Sequence, residues 1–215
     1  MPVGGFRTLL SDEQWSGLLA AGRPCRYRPG EELVRQGDPG PFLLVLRAGR
    51  VQVLRTEADG SRLLLEVRAA GDLIGEMAAR SSGLRNATVV AVDECFAQQL
   101  PVAVFDRLPA AAKLPDYLVS KINQRLPVQV NLMHFKPMQK VARLFGELVA
   151  LAGPELADPR LIPLSHQEIA YALGLSRSSV AAVVTELRDE GVLGPGPRLT
   201  VLDRGALLRH TSTVI

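Results

Sequence analysis

Two cysteines, Cys25 and Cys95, are all that this chain of 215 residues contains. Two thiols exclude a disulfide framework, a four-cysteine zinc site and a full iron–sulfur ligand set. They fit a reducing compartment, so a cytoplasmic location is expected. Histidine is nearly as scarce: the three are His134, His166 and His210. All three lie outside the segment read below as a barrel. A cupin-type metal enzyme needs clustered histidines there, and a haem sensor would have only the two thiols, read here as buried and inert. Neither a metal nor an enzymatic centre is expected. No apolar run approaches the roughly 18 residues that cross a bilayer. The first ten residues hold one Arg and no long apolar block, so no signal peptide and no membrane partner are expected.

Hydrophobic residues make up 47% and charged residues 22%, ordinary globular values that exclude wholesale disorder. Residues 1–110 hold 13 Arg against 13 acidic residues, while 111–215 hold 12 Lys and Arg against 9, which gives the net charge of +3. All four lysines (Lys113, Lys121, Lys136, Lys140) fall in the second part. A mildly basic second half suits a nucleic-acid partner without requiring one.

Ser11 followed by Gln14 is a capping box, and Trp15, Leu18 and Leu19 then share one face, so a helix is expected to run to about Gly22. After Pro24 short β-type runs alternate with Gly at intervals of about ten. Strands are expected at 42–46, 51–54, 63–67, 89–92 and 96–100, with Asp59-Gly60 as a hairpin turn. That spacing predicts a sandwich or barrel over 22–105. One loop stands apart: Gly71-Asp72-Leu73-Ile74-Gly75-Glu76-Met77-Ala78, then Arg85-Asn86-Ala87-Thr88-Val89. Small residues let backbone N–H groups approach an anion. Arg85 offers a fork that matches a phosphate, and Glu76 can accept from a sugar hydroxyl. The plainer reading is a turn carrying a surface salt bridge between Glu76 and Arg85.

The ordered set Gly30-Glu31-Glu32-Leu33-Val34-Arg35-Gln36-Gly37-Asp38, Gly49-Arg50-Val51-Gln52-Val53, Gly71-Asp72-Leu73-Ile74-Gly75-Glu76 and Arg85-Asn86-Ala87-Thr88-Val89 resembles the cyclic-nucleotide-binding barrel of the cAMP receptor protein/FNR (Crp/Fnr) superfamily. The resemblance implies an α+β chain with a β-roll or jelly-roll barrel, a long dimerisation helix and a winged helix-turn-helix. It implies cAMP or another cyclic nucleotide as effector, with Glu76 at the ribose 2′-hydroxyl and Arg85 at the cyclic phosphate. Gly75, Met77, Asn86 and Ala87 would complete that site. Nucleotide-binding members usually carry Ser or Thr where this chain has Asn86.

Leu114, Leu118, Ile122, Leu126 and Val130 recur at four-residue steps, an apolar stripe on one helix face. Such a stripe packs either on its own barrel or against a symmetry mate; the resemblance implies the second. Pro127 lies within the pattern, lacks an N–H and clashes one turn back, so a bend or break is expected there. The Thr-Ser pair by which cAMP-binding members contact the adenine is absent from 114–135. Counting from the barrel puts Arg125 and Leu126 at the base-contacting position, and counting back from Lys140-Val141-Ala142 puts Gln129 and Val130 there.

The tail carries the sharpest motif. In Leu164-Ser165-His166-Gln167-Glu168-Ile169-Ala170-Tyr171-Ala172-Leu173-Gly174, Ser165 and Glu168 form a capping box and Gly174 permits a tight turn. Ser176 caps a second helix whose buried side is Val180, Val183, Val184 and Leu187. Small Ala170 marks a close crossing, and the whole reads as a helix-turn-helix. Arg177, Ser178 and Ala181-Ala182 would face base edges, with Arg177 the one strong reader of guanine. Ser165, Gln167, Ser176, Ser179 and Arg188 would contact phosphates. This segment also resembles the family's DNA-binding domain, with residues 191–203 as its wing. The usual recognition helix has Glu and Arg where this chain has Ser178 and Ala182, so the target should differ. Residues 160–205 hold five Arg against five acids; Lys136, Lys140 and Arg143 nearby would supply basic character, with a modest salt slope.

The expected domains are 1–110, the barrel; 111–136, the helix and a hinge near 135–138; and 137–215, the DNA-binding unit. The expected function is a homodimeric, allosteric transcription regulator acting on a pseudo-palindromic duplex site. RNA polymerase is a further partner that the resemblance implies. A regulator of the same fold whose barrel binds no cyclic nucleotide is the alternative.

Overall fold

The computed structural model describes residues 5–79, 83–132 and 135–211, and for 124–132 the helical path alone. A 3-10 turn at Phe6–Leu9 leads into α1, Asp12–Ala20. The Ser11 hydroxyl accepts from the Gln14 N–H at 3.2 Å, and the Gln14 side chain accepts from the Ser11 N–H at 3.0 Å. Eight strands and two short helices follow: β1 Arg23–Tyr27, β2 Glu32–Val34, β3 Phe42–Ala48, β4 Arg50–Thr56, β5 Arg62–Ala69, β6 Leu73–Ile74, α2 Glu76–Ala79, β7 Thr88–Ala91, β8 Cys95–Pro101 and α3 Val102–Phe105. They form two antiparallel four-stranded sheets, ordered β1-β8-β3-β6 and β2-β7-β4-β5. The expected barrel is therefore two sheets enclosing Leu33, Val34, Leu44, Leu46, Val51, Val53, Ile74, Val89 and Cys95.

Cys95 is buried, and burial, reinforced by the Asp93 charge, pushes its thiol up to about 12. Cys25 departs from expectation: it is only half-buried. It lies on β1, whose outer edge has no neighbour in the sheet. The same edge position tolerates Pro24, which has no N–H to pair.

The chain then forms α4, Leu114–Leu132. The expected break does not occur: the helical path continues through Pro127 to Leu132. One proline removes one backbone hydrogen bond, and the bonds on either side still hold the turn. The apolar stripe divides. Leu114 and Tyr117 are buried on the chain's own barrel with Phe6, Phe105 and Leu100, and Leu118 packs at the edge of that cluster. One turn on, Ile122 is 44% exposed, as is Val119 on a neighbouring position at 58%. The reading on the chain's own barrel thus applies to the first length of the stripe. Leu126 and Val130 fall outside the described side chains, as do Arg125 and Gln129.

The last unit contains α5 Pro137–Ala150, β9 Leu161–Ile162, α6 His166–Leu173, α7 Arg177–Asp189, β10 Leu199–Thr200 and α8 Arg204–Arg209. Its core does not stop at its own border. Phe145, Leu148, Ile169 and Val184 share one apolar cluster with Leu54, Leu64, Val67 and Val92 of the barrel, and α6 lies on β5. Arg50 pins this junction. Its side chain is 2% exposed. Nε donates to Asp93 Oδ2 at 2.6 Å and Nη2 to Asp93 Oδ1 at 2.8 Å, while Nη1 donates to the Leu148 carbonyl at 2.6 Å. That carbonyl lies in the last turn of α5, where a cation meets the negative end of the helix dipole. Gly49 N–H also donates to Glu155 at 3.2 Å.

Candidate effector pocket and DNA-binding face

Glu76, Arg85 and Ala87 do converge. With Gly75, Met77 and Asn86 they line one small, open cleft in the barrel. The pairing inside it is not the expected one. Glu76 and Arg85 form no surface salt bridge; both are buried, at 1% and 3% exposure. The carboxylate of Glu76 is held by Arg68, which donates from Nη2 to Oε1 at 2.8 Å and from Nη1 to Oε2 at 3.0 Å. Arg68 also donates to Glu66 and to the Leu73 carbonyl.

Arg85 is held by neutral groups. It donates from Nη1 to the Gly75 carbonyl at 3.0 Å and from Nη2 to the Phe42 carbonyl at 2.7 Å, and its guanidinium lies 4.6 Å from the Phe42 ring centroid. Burial lowers its pKa from the ordinary value, with the charges of Glu76 and Asp38 acting against that. Glycine makes this seat. Gly75 has φ +86°, and a Cβ there would meet Arg85 Nη1 at 2.0 Å; at Gly40 it would lie 3.2 Å from the same guanidinium. Asn86 is exposed beside it.

The turn that carries Glu76 is fastened to α4. Asp72 accepts from the Tyr117 hydroxyl at 3.0 Å and pairs with Lys121 at 3.0 Å. Lys121 in turn lies 5.4 Å from the Tyr117 ring centroid. α4 is therefore tied to the segment that leads, through β6, to Glu76.

At the other end the capping signals hold. Ser165 Oγ accepts from Glu168 N–H at 3.2 Å, and Glu168 Oε2 accepts from Ser165 N–H at 2.7 Å. Gly174 takes φ +62°, the left-handed conformation that ends α6. Ser176 Oγ accepts from Ser179 N–H at 3.0 Å, starting α7. Ile169, Ala170, Leu173, Val180, Val183, Val184 and Leu187 are buried. Ser165, Gln167, Ser176, Arg177, Ser178 and Ala182 are exposed, and Ser179 is half-buried. The Ser178 and Ser179 hydroxyls lie 2.9 and 2.8 Å from Ser176 Oγ, so these serines form one cluster at the start of α7. Arg188 donates to the carbonyls of Gly194 and Gly196 at 3.3 and 2.6 Å, tying α7 to the wing. The wing closes through Leu193 against Val201 and through β10 against β9.

Sequence reading missed Arg68 and Arg50. The available signal was an Arg beside an apolar run in each of two strands, Leu63-Leu64-Leu65-Glu66-Val67-Arg68 and Arg50-Val51-Gln52-Val53. A cation kept in such a run needs a buried partner.

A barrel with a lined cleft, fastened through a long helix to a capped helix-turn-helix with a wing, defines a DNA-binding regulator with a sensory domain. Known proteins agree. The cyclic nucleotide-binding domain model matches residues 24–111, and the Crp-like helix-turn-helix domain model matches residues 139–210. The chain is 29% identical over 188 residues to the cyclic AMP receptor protein of Thermus thermophilus, covering 86% of this chain and 85% of that one. It is 28% identical over 195 residues to the transcriptional regulator LdrP of the same organism, covering 88% and 97%. A crystal structure of a CRP-family transcriptional regulator from Thermus thermophilus superposes with a TM-score of 0.73 at 27% identity, over 87% of this chain and 96% of that one. The chain belongs to the Crp/Fnr family of transcriptional regulators, whose members bind DNA as dimers.

Proposed function

We propose that this regulator senses a cyclic nucleotide, with cAMP the first choice, and that occupancy of the barrel resets how two copies hold DNA. The observation that carries this reading is the seat of Arg85. It faces the cleft that Glu76 lines, and among the described residues its guanidinium hydrogen bonds go to two neutral carbonyls. A cyclic phosphate offers that guanidinium a charged partner, and charge-assisted hydrogen bonds are roughly twice as strong as neutral ones. Glu76 would accept from the ribose 2′-hydroxyl. Backbone N–H groups near Gly75 and Ala87, with Met77 and Asn86, would close around the ring. Arg125 or Gln129 would meet the base. The relative named a cyclic AMP receptor protein supports the choice of ligand.

Val119 and Ile122, apolar and exposed on α4, favour pairing with a second copy through that helix. Two recognition helices would then enter successive major grooves of a pseudo-palindromic site in the cytoplasm, with Arg177 reading guanine, and RNA polymerase would be the downstream partner. Ser165, Gln167, Ser176, Ser178, Ser179, Ala182 and Arg188 would line the DNA face. The effector can shift this arrangement only by its differential affinity for two states. The Asp72–Tyr117–Lys121 link offers a route from cleft to helix.

Calorimetry tests the reading. Wild type should bind cAMP or cGMP, and Arg85→Leu should lose that binding while still folding. Retention of cyclic-nucleotide binding by Arg85→Leu overturns the assignment. No binding of any cyclic nucleotide by wild type would leave the alternative, a regulator whose barrel serves another effector or none.

A further inference from the structure

The two guanidinia in the cleft are held in opposite ways. Arg85 has neutral partners and can exchange them. Arg68 cannot. Its side chain is 4% exposed, and its donors go to Glu66, the Leu73 carbonyl and both oxygens of Glu76. Glu76 is itself 2% exposed in its side chain. A bidentate fork on both oxygens fixes the plane and the rotation of the carboxylate, which a single hydrogen bond would leave free to turn.

From this we infer that Arg68 is a positioning residue for sugar recognition: it holds the Glu76 carboxylate in one fixed orientation so that the cleft selects ribose over 2′-deoxyribose. The inference rests on the cyclic-nucleotide reading above. A carboxylate has about four lone-pair sites, and the fork of Arg68 uses one on each oxygen of Glu76. Acceptor capacity is left for a sugar hydroxyl. The geometry fixes where it points, because β5 carries Arg68 and α2 begins at Glu76, so neither partner sits on a long free loop.

The test compares cAMP with 2′-deoxy-cAMP on the full-length protein by calorimetry. Wild type should prefer cAMP by about tenfold or more, the value of a hydrogen bond to a charged group. In Arg68→Gln that preference should collapse to within about threefold, with the affinity for 2′-deoxy-cAMP nearly unchanged. Arg68→Lys keeps the charge without the fork and should restore part of it. Should Arg68→Gln fail to fold, Arg68→Lys carries the same comparison. A folded Arg68 variant with the wild-type preference overturns the inference, as does a wild type that binds both nucleotides equally. A wild type that binds neither overturns the cyclic-nucleotide reading itself and, with it, this inference.

Discussion

The effector cleft and the recognition helix treat their polar groups in opposite ways. In the cleft Arg68, Glu76 and Arg85 are buried and turned on one another or on backbone carbonyls. At the start of α7 Arg177, Ser178 and Ala182 face solvent, with the hydroxyls of Ser176, Ser178 and Ser179 engaged with each other. A buried polar group must be satisfied within the protein before a ligand arrives, whereas an exposed one is satisfied by water until DNA replaces it. Under the proposed function, effector binding would therefore be an exchange of partners. DNA binding would be mainly a docking event that releases water and counterions.

The largest effect should come from the junction between these regions. Asp93→Ala leaves Arg50 buried without its bidentate partner, and breaking such a pair costs about 3–5 kcal/mol. Chemical denaturation should show that loss. A change below about 1 kcal/mol would mean that the barrel and DNA-binding unit are not held together through Arg50. A smaller change should come from Arg177→Ala. On a duplex selected from a random pool by wild type, it should weaken binding by about 1–3 kcal/mol per reading helix and relax one base position. Effector affinity, measured alone, should stay the same. A fall in effector affinity with intact DNA selectivity would reverse the contrast between the two regions.

How much of this was legible beforehand depended on the range of the interaction. The caps of α1, α6 and α7 rest on partners three residues apart, and the sequence shows such pairs directly. The turn glycines and the strands β3, β4, β5, β7 and β8 also follow from local pattern. β2 and β6 span three and two residues, too few for any periodicity to register. β1 contains Pro24, which ordinarily argues against a strand and is tolerated here because β1 is an edge. In the cleft, the sequence placed Glu76 and Arg85 together but not their partners. Arg68 reaches Glu76 across the β5–β6 turn, and Arg50 reaches Asp93 and Leu148 over 43 and 98 residues. Contacts that long depend on how the sheets close. The register of α4 beyond Gln124 stays as the sequence left it, between Arg125 and Gln129.

The central claim is that the cleft and the DNA face are coupled. Fluorescence anisotropy of a labelled selected duplex, titrated with the full-length protein with and without saturating cAMP, tests it most directly. The coupling should move the dissociation constant by about 5–150-fold, the usual range for allosteric linkage. Superimposable curves in the presence and absence of nucleotide would contradict it.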